Sequence, residues 1–248
     1  MLYKLDGKQR QTVWLSGKST PPEYLMAQII ELAEADFNAL NAEVEQCHWE
    51  TLSPHERVKA TYQSLGLNFR SERLRGGFIV EALDIALRGR PRALQDKRLA
   101  AERQELNLKK AISLLSPELM LIENLNPKSP IFVTGVLAGA LIMLGINKKT
   151  EEFFTKLNNQ QGQVKEGFED PVEGLARAII QSQRDGPLAM HAQLSIELCK
   201  KTIQAIGLWE EGVDSSKYWR KRALCGVDHM PYIRELKRLK LINDQRDL

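Results

Sequence analysis

The sequence predicts a mainly α protein, a multi-helix domain with a small α/β remnant at its N-terminus. From Glu34 onward, apolar residues recur at helical spacing. Caps and breakers cut that stretch into helix-sized pieces. Ahead of it, two short apolar runs are punctuated by Asp6-Gly7, Gly17 and Pro21-Pro22. These signals divide the 248 residues into 1–32, 33–125 and 131–248, with a linker at Asn126-Pro127-Lys128-Ser129-Pro130.

In the first piece, Leu2 to Leu5 reads as a strand that turns at Asp6-Gly7. Lys8 to Leu15 reads as a short helix ended by Ser16-Gly17. Two prolines make Lys18 to Pro22 a loop. Leu25 to Leu32 reads as a second strand, with a helical turn as the alternative.

Helices follow. Ala33 to Gln46 carries Phe37, Leu40 and Val44 among acids. Ser53-Pro54-His55-Glu56 has a Ser cap, Pro at the first helical position and Glu at the third, and that helix stops at Gly66. Arg75 to Arg88 is the next, closed by Gly89 and Pro91. A long charged helix is expected from Ala93 to Leu115, and Ser116-Pro117-Glu118 opens another that ends near Asn124. Ile131 to Leu144 is apolar throughout, and Lys148 to Leu157 carries Phe153 and Phe154. Asn158 to Glu169 reads as an exposed loop, and Asp170-Pro171 caps a helix to Gln183. Leu188 to Trp209 is a long helix, with Gly212 ending the pattern. The last, Pro231 to Leu241, is amphipathic, with Ile233, Leu236 and Leu239 opposite Arg234, Lys237 and Arg238.

Hydrophobic residues make up 43% of the chain, enough for a core. Three cysteines, Cys47, Cys199 and Cys225, have no paired spacing, which fits a reducing compartment and a cytoplasmic protein. The N-terminus has no signal-peptide core. Ser129 to Asn147 is uncharged, but Pro130, Thr134 and three glycines favour a buried core helix over a membrane span. There Gly135 and Gly139 form a small-xxx-small pair that admits a close neighbour. No membrane partner is expected.

The net charge of +3 is unevenly spread. Arg57 to Lys110 holds 13 Lys and Arg against 6 Asp and Glu, and Lys217 to Lys240 holds 8 against 2. The remainder is acidic, so phosphate would be drawn to two segments while indiscriminate binding is limited. Solvated helix faces are the alternative.

Standard catalytic patterns are incomplete. Gly17-Lys18-Ser19 matches the tail of a phosphate-binding loop, but Thr12 stands where its first glycine belongs. His48, His55, His191 and His229 show no zinc spacing. In Cys225-Gly226-Val227-Asp228-His229, Asp228 is placed to orient His229, unless this is a plain turn before the last helix. No cofactor and no metal site is expected, and the reading leans away from an enzyme. Leu5-Asp6-Gly7-Lys8-Gln9-Arg10 lies between an expected strand and an expected helix, where Arg10 can clamp an anion.

On Asp6, Gly7 and Arg10 the chain resembles the ParB/sulfiredoxin-like superfamily, particularly its phage and mobile-element members. Those carry an Asp-Gly-x-His-Arg type motif at a helix start, and here Gln9 stands at the histidine. Ala140 to Asn147, Glu152 to Leu157 and Asp170-Pro171-Val172 are similar to the helical half of such proteins. The resemblance implies phosphate contact through Arg10. With only five residues ahead of Asp6, it implies an incomplete nucleotide pocket.

The resulting expectation is a non-catalytic accessory protein that binds DNA or RNA through two basic helical patches. Arg70, Arg73, Arg75, Arg88, Arg90, Arg92, Lys97 and Arg98 form the first, and Arg220, Lys221, Arg222, Arg234, Lys237 and Arg238 the second. The alternative is a helical protein–protein adaptor, a subunit of a larger complex or a homo-oligomer, using Trp209, Tyr218 and Trp219. A third reading is an enzyme that binds nucleotide at Arg10.

Overall fold

The computed structural model describes residues 13–17, 19–24, 36, 52–90, 106–165, 168–184, 191–213 and 226–241. The chain divides into two units, Met1–Ser53 and Pro54–Leu248. In the first, residues 13–15 are helical, and the Gly17 amide donates to the Trp14 carbonyl at 3.1 Å. Gly17 has φ 70°, a left-handed geometry that stops the helix where Ser16-Gly17 was expected to stop it. The strands expected at 2–5 and 25–32 lie outside the described residues.

The described residues of the second unit are mainly helical. Helix α1 spans Pro54–Ser64. The helix expected from Arg75 to Arg88 is present as α3, Phe78–Arg88, and a separate short helix, α2 at Glu72–Arg75, precedes it. Adjacent Gly76 and Gly77 account for the break, since glycine is the poorest helix former after proline. Ser71 caps α2 by accepting from the Leu74 amide at 3.3 Å. Gly89, with φ 80°, closes α3 by donating to the Ile85 carbonyl at 2.9 Å.

Helix α4 spans Leu108–Leu114 and starts at an Asn107 cap, so the helix expected from Ala93 does not run unbroken to Leu115. Asn107 accepts from the Lys110 amide at 3.0 Å, and its extended backbone sets the boundary. Helix α5 is Ser116–Asn124, with Pro117 in its first turn. Helix α6 spans Thr134–Ile146. A 3-10 turn at Lys148–Thr150 leads into α7, Glu151–Asn158. The stretch expected as a loop contains an antiparallel hairpin, β1 Val164–Lys165 and β2 Phe168–Glu169. Helix α8 is Pro171–Arg184, α9 is His191–Glu211 and α10 is Met230–Leu239. Asp170 caps α8 by accepting from the Glu173 amide at 2.7 Å.

Helix α6 is the axis of this unit. Its residues 134–144 are all buried, so it is apolar all round rather than on one stripe. Helices α9, α3, α10 and α5 pack around it. Its glycines permit the approach: a methyl group on Gly135 would strike the Ser195 carbonyl, and one on Gly139 would strike Thr202. Gly145 does the same for Leu236 of α10. No helix among the described residues is long and apolar enough to cross a membrane.

The Asn126–Pro130 stretch lies within this unit and is tied to α7. Buried Asn158 accepts from the Lys128 amide at 2.9 Å and donates to the Leu125 carbonyl at 2.7 Å. Trp209, an expected docking aromatic, is turned into the packing. Its ring meets Phe153 edge-on at 5.8 Å, and the Lys156 ammonium sits 5.5 Å above it. Tyr218 and Trp219 lie outside the described residues.

Candidate nucleic-acid interface

The two basic segments meet at one corner, where the C-terminal end of α3 packs on α10. Gly89 makes the meeting possible. Having no side chain, it lets Met230 and Ile233 of α10 close on the end of α3. Behind it, His229 is buried at the α10 N-terminus, and its Nε2 lies 2.8 Å from the Gly89 carbonyl oxygen. A carbonyl only accepts, so Nε2 carries the proton and donates.

Of the two readings of Cys225 to His229, the plain turn before the last helix is the one the geometry fits: Asp228 accepts from the Met230 amide at 3.0 Å, and its Oδ1 is 3.8 Å from His229 Nδ1, too far for a hydrogen bond. Nδ1 is buried with no hydrogen-bond partner among the described residues.

Arg88 ends α3, and its guanidinium is 3.5 Å from the Asp84 carboxylate one turn back. Lys237 lies on α10 two turns beyond His229. Burial lowers its pKa from the ordinary value, and the positive charge of Arg88 lowers it further. Like charges from segments about 150 residues apart in sequence are thus brought within each other's field. Arg90 and Arg234 are exposed beside them on the same two elements. Lys237, Arg90 and Arg234 have no carboxylate partner among the described residues.

Other expected contacts are placed elsewhere or already occupied. Arg70, Arg73 and Arg75 surround α2, at the opposite end of α3, about 15 Å away by helix rise. Arg70 and Arg75 are exposed. Arg73 is not available to phosphate: its Nε donates to the Ser129 carbonyl at 3.1 Å, and it lies 5.1 Å over the Phe78 ring. Burial lowers its pKa, with Glu72 opposing. Arg238 is held by a bidentate pair with Glu235 at 2.7 and 2.8 Å, which raises its pKa and lowers that of Glu235. Arg92, Lys97, Arg98, Arg220, Lys221 and Arg222 lie outside the described residues, as do Asp6, Gly7 and Arg10.

Next to this corner is an open cleft of about 360 Å³ lined by Gly89, Arg90, Gln193, Ile196, Lys200 and His229. The α9 residues in it were not expected from the sequence. Lys200 belongs to the acidic remainder of the chain, and Glu197 lies 3.3 Å from it. The only local signal was the pair Lys200-Lys201 inside a largely apolar helix.

Comparison with protein-family models, curated proteins and solved structures finds no match.

Proposed function

We propose that this is a non-catalytic, nucleic-acid-associated accessory protein that holds phosphate at the corner of α3 and α10. One observation carries this reading. Arg88 and Lys237 come from the two basic segments and are packed near enough that one disfavours the charge of the other. Asp84 lies 3.5 Å from Arg88, whereas Lys237 has no carboxylate partner among the described residues; bringing like charges together opposes stability, and a polyanion relieves the opposition. Arg90 and Arg234 extend the same surface.

The test is fluorescence anisotropy with labelled single-stranded and duplex oligonucleotides over a range of salt. Affinity should fall steeply with salt. Arg90→Ala and Lys237→Met should each lower the magnitude of the log–log slope by about 1. Arg73→Lys should leave that slope unchanged, since this side chain is engaged internally. Absence of binding at low salt, or slopes indifferent to Arg90 and Lys237, overturns the proposal.

A further inference from the structure

The cleft between α3, α9 and α10 has a chemistry distinct from an open cationic face. Its wall combines a guanidinium without a carboxylate partner among the described residues (Arg90), an ammonium (Lys200), an amide (Gln193) and an apolar patch (Ile196). Lys200 is partly neutralised by Glu197 at 3.3 Å, so Arg90 supplies the dominant charge. The remaining wall is His229, whose side chain is 9% exposed and whose Nδ1 has unspent hydrogen-bonding capacity. Buried polar atoms are ordinarily paired, and with the proton on Nε2 the Nδ1 atom is an acceptor, so its missing partner is a donor such as a ribose hydroxyl or a water, not a phosphate oxygen. A volume of about 360 Å³ is at the small end of ligand sites.

We infer that this cleft binds a terminal phosphomonoester, with Arg90 and Lys200 on the phosphate and Ile196 and Gln193 against the sugar or base. A monoester carries about −1.5 to −2 charge near neutral pH and three acceptor oxygens, which suits a cleft lined by two cations better than a mid-strand diester does. The concave shape admits a chain end or a mononucleotide rather than the side of a duplex. As applied to a strand end, the inference rests on the nucleic-acid reading above. A strand terminus and a free nucleotide present the same phosphomonoester group, and the arms of the experiment separate the two.

The experiment uses the full chain and one single-stranded sequence in three forms, unphosphorylated, 5′-phosphorylated and 3′-phosphorylated, with adenosine monophosphate titrated separately by calorimetry. One phosphorylated end should bind about tenfold tighter than the unphosphorylated strand, the scale of one charge-assisted contact. Arg90→Ala and Gln193→Leu should remove that preference, and Arg75→Ala should retain it. Equal affinity for all three strands, with no nucleotide binding, overturns the inference while the nucleic-acid reading stands. Failure of every strand to bind, with Arg90-dependent binding of the mononucleotide, retains the cleft assignment and overturns the nucleic-acid reading. Failure of both strand and nucleotide overturns both.

Discussion

His229, the residue just before α10, donates through Nε2 to the carbonyl oxygen of Gly89, the residue just after α3, at 2.8 Å. One buried ring thereby fastens the C-terminal basic helix to the end of the earlier basic segment. The carbonyl belongs to a residue with left-handed backbone that is itself buried.

His229→Ala should therefore cost about 2 kcal/mol, from an unsatisfied buried carbonyl and the space the ring leaves. Urea unfolding measures it. It should also weaken oligonucleotide binding, because Arg90 and Lys237 would lose their fixed relation. An unchanged unfolding midpoint would show that the contact contributes nothing.

Lys237 should behave in the opposite sense. Its folded pKa lies below the ordinary 10.5 because of burial and then Arg88. Between the folded value and 10.5 the unfolded chain binds more protons, so this group's contribution to stability rises with pH across that window. While charged, Lys237 opposes folding. Lys237→Met should stabilise the fold slightly, by under about 1 kcal/mol given solvent screening, raise the melting temperature accordingly, and weaken binding to nucleic acid. A variant that loses stability at neutral pH would contradict this account of the corner.

How much of this was readable in advance depended on range. Pro54, Gly66, Gly89, Ser116-Pro117 and Asp170-Pro171 marked helix ends correctly, because capping acts over three or four residues. The break at Gly76-Gly77 and the restart at Asn107 are equally local, yet the sequence reading starts one helix at Arg75 and runs a charged stretch from Ala93 continuously through Asn107. The hairpin at 164–169 is hidden in polar sequence, since each strand has two residues. The site was less legible. Arg73 looks like its neighbours until Ser129, 56 residues later, takes its guanidinium. Lys200 carries no mark of the cleft it lines, because the packing of α9 on α6 places it there.

That packing supplies a graded test. Gly135→Ala meets the Ser195 carbonyl, a backbone atom that cannot move aside, and should cost about 3 kcal/mol or prevent folding. Gly139→Ala meets the Thr202 side chain and should cost about 1–3 kcal/mol. Gly207→Ala on α9 meets nothing within 4 Å and should stabilise by about 0.5–1 kcal/mol through helix propensity. Denaturation midpoints in this order would support the close α6–α9 contact. Three equal effects would refute it.

Lys240 separates charge spent on folding from charge available to a ligand. It belongs to the C-terminal basic segment, but its Nζ donates to both oxygens of Glu118 at 2.7 and 2.8 Å. The Glu118 side chain is 3% exposed, so the pair joins the end of α10 to α5 inside the fold. Lys240→Met leaves a buried carboxylate unpaired and should cost about 3 kcal/mol. Glu118→Leu combined with Lys240→Met removes both charges and should recover most of that loss. Because its ammonium is already engaged, Lys240→Met should leave the salt slope of oligonucleotide binding unchanged under conditions where the variant is folded. A slope reduced as much as by Lys237→Met would place Lys240 in the phosphate-binding surface and remove the distinction.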